Sequence, residues 1–196
     1  MEKALTQFVS FVQHFVDLGK KDVEAIMPHV EYKEYNKKDS ILSTHQRCKG
    51  IYFVSEGLFR VFSLKDGVEV NVSFMKENEF FTDYESLMTG NNCKLGLEAI
   101  EPTKIIFLPY EKLLESYDKS HMLERLGRLM VERALANLIS MSNSSTNLKA
   151  EDKYSDFEAN NKDLVQRIPL KHLASFIGIA PESLSRLRKA RIGNIS

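Results

Sequence analysis

The chain has 196 residues, 43% of them hydrophobic, with 27 basic and 27 acidic side chains, five Pro and nine Gly. That length allows one large domain or two small ones, and the apolar fraction suffices for a core, which excludes wholesale disorder. The zero net charge hides an asymmetry: residues 162–196 carry seven basic and two acidic side chains, net +5, so residues 1–161 sum to −5.

A basic end on an acidic body points to an anionic partner for that end, or to a solvated basic surface. No aliphatic and aromatic run is longer than that of Ile105, Ile106, Phe107 and Leu108, stopped by Pro109. A membrane span needs ~20 apolar residues, so no membrane partner is expected. The start, MEKALTQFVS, has neither the basic nor the apolar region of a signal peptide. Two cysteines, Cys48 and Cys93, are too few for a disulfide framework and lack metal-motif spacing. The expectation is a cytoplasmic protein.

In chain order, residues 3–18 predict an amphipathic helix, with Leu5, Phe8, Val9, Val12, Phe15 and Val16 at helical spacing and Gly19 as its stop. A short helical turn is expected over 22–27, ended by Pro28. From about residue 30 the pattern becomes short strands. Ile51 to Val54 lie between Gly50 and Glu56-Gly57, and Leu58 to Phe62 follow. Asp66-Gly67 then leads into residues 68–74, which alternate apolar and polar. Asp-Gly between two such runs is a strong hairpin signal. Residues 95–100 and 103–108 add further strands. Several short strands with close turns argue for a β-sandwich or jelly roll.

After Pro109 the helical period returns and is expected to hold to about residue 142. Leu123, Leu126, Met130, Ala134, Leu138 and Met141 form a stripe, widened by Leu129, Val131, Leu135 and Ile139. A helix this apolar must bury against more than one surface. The stripe fits a core helix, or a homodimer interface through Leu123, Leu126, Met130, Ala134 and Leu138. Residues 143–147, Asn-Ser-Ser-Thr-Asn, read as a polar hinge.

Residues 170–189 carry the most specific pattern. Pro169 starts a short helix with Leu170, Leu173 and Ile177 on its apolar face. Ala174 is small where a second helix must cross, and Gly178 supplies a left-handed turn. Pro181 starts the next helix, with Leu184 and Leu187 inward. This is a helix-turn-helix. Glu182, Ser185, Arg186 and Lys189 then share the opposite face, at i, i+3, i+4 and i+7. Arg186 suits a guanine edge and Glu182 a cytosine amino group. Lys171, Arg188, Lys189 and Arg191 suit phosphates. The expected DNA-contacting set is Lys171, Glu182, Ser183, Ser185, Arg186, Arg188 and Lys189. A helical hairpin packed in a core with a charged face is the other reading. Ala180 stands where a side-chain cap is usual, at a cost of ~1 kcal/mol. A phosphate could satisfy the free N–H groups there.

An N-terminal helix, a β-roll, a long helix and a terminal helix-turn-helix in this order resemble the Crp/Fnr family of bacterial transcription regulators over essentially the whole chain. Residues 50–61, GIYFVSEGLFRV, resemble the family's first diagnostic segment, and residues 181–189, PESLSRLRK, its recognition helix. Residues 154–167 and the Ser-Arg-Leu-Arg-Lys ending are similar to the Bacteroidetes-type branch. The resemblance implies an α+β fold in three parts. They are a cyclic-nucleotide-binding-like β-roll (double-stranded β-helix or jelly roll) with flanking helices over 1–115, a long dimerisation helix over 116–145, and a helix-turn-helix domain over 146–196. It also implies double-stranded DNA, a second copy of the chain and RNA polymerase as partners, and base-reading roles for Glu182 and Arg186.

The implied effector pocket falls on Phe81, Thr82, Asp83, Tyr84, Cys93 and Lys94. Nucleotide-binding members carry Gly-Glu and, about ten residues on, Arg-Ser/Thr-Ala. Here those positions read Thr82-Asp83 and Asn92-Cys93-Lys94-Leu95. A lysine cannot reproduce an arginine's two-pronged phosphate grip. Cyclic nucleotide is therefore the ligand class the resemblance implies and these departures oppose; no cofactor is assigned. Only seven residues follow Lys189, too few for the β-hairpin wing that many members add. The five histidines show no His-X-His metal pattern, and no nucleophile motif or phosphate loop is present, so no enzyme is expected. A ligand-binding module without specific DNA binding is the alternative function.

Overall fold

The computed structural model describes the backbone of residues 1–145 and 149–193, and the side chains of 1–139 and 149–190. Helix α1 (Glu2–Val12) buries Ala4, Phe8 and Val12 and ends earlier than the periodicity predicts. Gly19 begins helix α2 (Lys20–Ile26) rather than stopping α1, since its N–H donates to Asp22 Oδ2 at 2.9 Å. A 3₁₀ turn, Met27–His29, accommodates Pro28.

The roll is built from strands β1 (Glu31–Tyr35), β2 (Ser40–Leu42), β3 (Gly50–Glu56), β4 (Phe59–Lys65), β5 (Val68–Met75), β6 (Phe80–Phe81), β7 (Leu95–Ala99) and β8 (Thr103–Pro109). Short helix α3 (Tyr84–Thr89) lies between β6 and β7. All pairings are antiparallel, in two sheets ordered β1-β8-β3-β6 and β2-β7-β4-β5. Val54, Phe59, Leu97 and Ile105, all fully buried, fill the space between them with Tyr52, Phe81 and Phe107. On the far side of the first sheet, α1 packs Phe8 and Phe11 edge-on or tilted against Phe53 and Phe80, with ring centroids 5.4–6.3 Å apart.

The β4–β5 hairpin turns through Asp66 and Gly67, both at positive φ (52° and 78°), as the Asp-Gly signal requires. The alternation along β5 does not survive as one face. The register shifts between Val61, opposite Ser73, and Phe62, opposite Asn71, leaving Val72 bulged and exposed. Asn71 and Phe74 are consequently both buried, on the outer face of this sheet.

The single helix expected after Pro109 is two. Helix α4 (Tyr110–Tyr117) ends before Ser120, whose Oγ accepts the Leu123 N–H at 3.1 Å and so caps helix α5 (His121–Ser145). The expected hinge at 143–147 is helical through Ser145, and residues 146–148 lie outside the described ones. Helices α6 (Ala150–Asn160) and α7 (Lys162–Arg167) follow, then α8 (Leu170–Ile177) and α9 (Pro181–Gly193). No described helix is long and apolar enough to cross a membrane.

The apolar core of α6–α9 is continuous with the roll. Leu58, Phe74 and Ile100 of the roll form one buried cluster with Tyr154, Leu164, Ile168, Leu173, Ala174, Ile177 and Leu184.

Candidate nucleic-acid interface

Helices α8 and α9 form the helix-turn-helix expected from the sequence. Gly178 takes φ 87°, and its N–H and that of Ile179 both bond the Ala174 carbonyl, at 2.9 and 3.0 Å. A residue with a Cβ would be strained in that conformation. Leu173, Ala174 and Leu184 are fully buried where the helices cross. This packing fixes which side of α9 faces out. Glu182, Arg186 and Lys189 are exposed, and Ser183 and Ser185 are half-buried beside them. Arg186 Nη2 lies 3.3 Å from Ser183 Oγ. Lys171, on α8, is exposed.

Arg188 is placed otherwise than expected. Its Nε donates to Tyr154 Oη at 3.1 Å, its Nη2 to the Val165 carbonyl at 3.2 Å, and its guanidinium sits 5.6 Å from the Tyr154 ring centroid. It is a strut between α9 and helices α6 and α7, not a free phosphate ligand. Arg191 lies outside the described side chains.

The dimer stripe is split. Leu123 (1% exposed) and Leu126 (8%) are buried in the protomer's own core beneath α1 and α4, and Met130 packs against them. Leu123 and Leu126 thus have almost no surface left to offer a second copy. Beyond them the helix runs clear of the roll: Val131, Leu135, Leu138 and Ile139 are about half exposed or more, and Ala134 is exposed with them.

The cassette residues converge, but on each other. Asp83 is buried; its Oδ1 accepts the Ser86 N–H at 3.1 Å and its Oδ2 the Lys94 N–H at 3.2 Å. Its carboxylate thus caps α3 and takes up the Ser86 and Lys94 N–H groups itself. Lys94 Nζ is paired with Glu85 at 2.6 Å. Thr82 Oγ1 donates to the Gly50 carbonyl at 3.0 Å. Phe81 is in the roll core, Tyr84 is exposed, and burial pushes the Cys93 thiol pKa up.

Sequence reasoning did not anticipate how the helical end is held. Arg60 is buried on the outer face of the second sheet. Its Nε donates to Glu98 at 2.9 Å, its Nη1 to Asn71 Oδ1 at 3.0 Å and its Nη2 to Glu69. Asn71 passes this order on to α8: its Nδ2 donates to the His172 carbonyl at 3.0 Å and its backbone N–H to Ser175 Oγ at 3.1 Å. The available signal was an arginine between Phe59 and Val61 of β4 and an asparagine between Val70 and Val72 of β5.

His172 sits in this joint, and burial, with Arg60 and Lys171 nearby, pushes its pKa down to about 4 against the opposing pull of Glu98 and Glu69. An unfolded histidine protonates near pH 6.5. The stability contributed by a neutral His172 is therefore complete above that pH and is lost as pH falls from about 6.5 toward 4. In urea unfolding at a series of pH values, the wild type should lose stability across this window more steeply than His172→Gln. Equal slopes would remove His172 from the acid sensitivity.

The sequence profile of the cyclic nucleotide-binding domain matches residues 32–120, the roll with α3 and α4. No curated protein sequence matches the chain. Among solved structures, FixK2 from Bradyrhizobium japonicum superposes with a TM-score of 0.72 at 17% identity, over 84% of this chain and 85% of that one. A putative Crp/Fnr-family transcriptional regulator from Eubacterium rectale gives 0.68 at 14% identity, over 90% and 85%. The catabolite activator protein of Thermus thermophilus gives 0.56 at 18% identity, over 94% and 87%. Residues 32–120 thus resemble a cyclic nucleotide-binding domain, and the chain, with roll, long helix and helix-turn-helix in that order, has the fold of these Crp/Fnr-type structures.

Proposed function

We propose that this protein is a homodimeric, sequence-specific, DNA-binding transcription regulator of the cytoplasm, and not an enzyme. The observation that carries the reading is α9. Its inner side chain Leu184 is fully buried, while Glu182, Arg186 and Lys189 stand in solvent on a helix that Pro181 begins. Such a face suits the major groove, with Arg186 bonding guanine, Glu182 accepting from cytosine, and Lys189 and Lys171 meeting phosphates. Ser183 and Ser185 flank that face. A two-fold pair would use Ala134 and Leu138 with Val131, Leu135 and Ile139. It would then read two half-sites about one helical turn apart, so the operator is pseudo-palindromic. RNA polymerase is the further partner such a regulator implies.

The ligand-module alternative gains no support from the cassette, whose Asp83 and Lys94 are engaged within the protein. Selection from random duplex DNA by the purified protein, without ligand and at physiological salt, tests the reading. A two-fold symmetric motif is expected. Affinity no better than the ~10⁻⁴–10⁻⁶ M of non-specific binding would overturn it. Arg186→Ala should cost about 1–3 kcal/mol on the selected site and relax preference at one base pair of each half-site. Unchanged discrimination at every position would remove Arg186 from base reading.

A further inference from the structure

We propose that Arg167 is a positioning residue for DNA reading, a clamp that fixes the direction of the recognition helix relative to the β-roll. The proposal rests on the DNA-binding reading of α9. Arg167 is the last residue of α7, three before α8 begins. Its Nη1 and Nη2 bond the two carboxylate oxygens of Glu77 at 3.0 and 2.8 Å, and Nη2 also reaches Glu101 at 2.6 Å. Glu77 in turn accepts the Gly57 N–H at 2.9 Å. Residues 57, 77 and 101 lie in the β3–β4, β5–β6 and β7–β8 connections. One guanidinium therefore gathers three connections at one end of the roll and ties them to the chain entering the helix-turn-helix.

The pairing is not an ordinary surface ion pair. The three side chains are only 26–33% exposed, and the two-pronged geometry is the strong form of this contact. Burial alone would push the Glu77 carboxyl up, yet the bonds from Arg167 and from backbone N–H groups hold it below its ordinary value.

Further contacts restrain the same rotation. Lys76 pairs with Asp163 on α7 at 2.9 Å. Phe74 of β5, Phe157 of α6 and Phe176 of α8 form a three-ring cluster with centroids 5.4–6.1 Å apart. These contacts leave the reading face free: Lys171, Glu182, Arg186 and Lys189 stay exposed while α7 and α8 are docked. Docking thus orients the reading face without covering it. A dimer whose two recognition helices are held in this way should tolerate only one separation between half-sites.

The test compares wild type, Arg167→Gln, and the milder Glu101→Gln, each first checked for folding by circular dichroism. Half-sites selected by the wild type are joined by spacers lengthened or shortened by one or two base pairs. The wild type should lose about tenfold or more in affinity off its best spacing. Arg167→Gln should bind more weakly at that spacing, show a penalty below about threefold elsewhere, and keep base preference within each half-site. Glu101→Gln should fall between them. An unchanged spacing profile in both variants overturns the clamp.

Amide hydrogen exchange without DNA is the second arm. In Arg167→Gln, exchange should rise over β5 and α8 and stay unchanged in β3. No rise there also overturns the proposal. If wild type selects no DNA motif, the DNA reading fails, and the exchange arm still decides the clamp.

Discussion

Leu135→Asp combined with Leu138→Asp should yield a folded monomer of 22.5 kDa in light scattering, where the proposed homodimer of the wild type should give twice that mass. Leu135 is 56% and Leu138 65% exposed, and neither joins a buried cluster. With Val131 and Ile139 they fall at i, i+4, i+7 and i+8, one face of α5. Within one protomer the change is a surface substitution, costing little beyond about 0.5 kcal/mol of helix propensity per residue. At a two-fold interface it would set four carboxylates into an apolar seam, where unpaired burial of charge is prohibitive. The consequence for DNA should be larger than for any single base contact. Losing the second, linked half-site removes an avidity factor of about 10²–10⁴. Titration of the full operator measures it. A variant that keeps both the dimer mass and the wild-type affinity would show that this face is not the interface.

Leu184→Ala should destabilise the protein by about 2–5 kcal/mol. The side chain is fully buried, and the cavity it leaves would be lined by the cluster shared with Leu173, Ala174 and Ile177. That cluster also contains Leu58 and Ile100 of the roll, so little of the loss can be absorbed by local collapse. For a chain of this size each kcal/mol corresponds to about 2–4 °C in the melting temperature. Leu184→Met, which conserves volume, should cost under about 1.5 kcal/mol. The pair separates packing from chemistry on α9. If both variants cost the same small amount, Leu184 is not the inward residue of α9, and the assignment of Glu182 and Arg186 to the outward face falls with it.

The elements legible in the sequence are those governed by short-range sterics. Asp66-Gly67 supplies two residues that tolerate positive φ, and the hairpin forms there. Gly178 between two apolar-faced helical segments, each opened by a proline, is a complete local specification of the helix-turn-helix. The exposure of Glu182, Arg186 and Lys189 follows from helical geometry once Leu184 is placed inside. Charge along the chain separates a basic C-terminal stretch, residues 162–196, from an acidic remainder.

What only the tertiary structure decided is which surfaces meet. The long apolar stripe is one pattern in the sequence. Packing divides it at about Met130 into a half buried in the protomer and a half left bare, because the roll and α1 cover only the first turns of α5. Basic residues near the C-terminal end look alike as letters, yet Arg167 and Arg188 are struts while Arg186 and Lys189 face solvent. The difference lies in acceptors contributed by distant segments, Glu77 and Glu101 for the first and Tyr154 and Val165 for the second. The bulge at Val72 turns Asn71 and Phe74 toward α8, about a hundred residues away in sequence. Local rules fix the helices, turns and strand signals because each depends on a few neighbouring residues. The docking of the helix-turn-helix on the roll depends on complementary faces far apart in the chain, and no local pattern encodes that match.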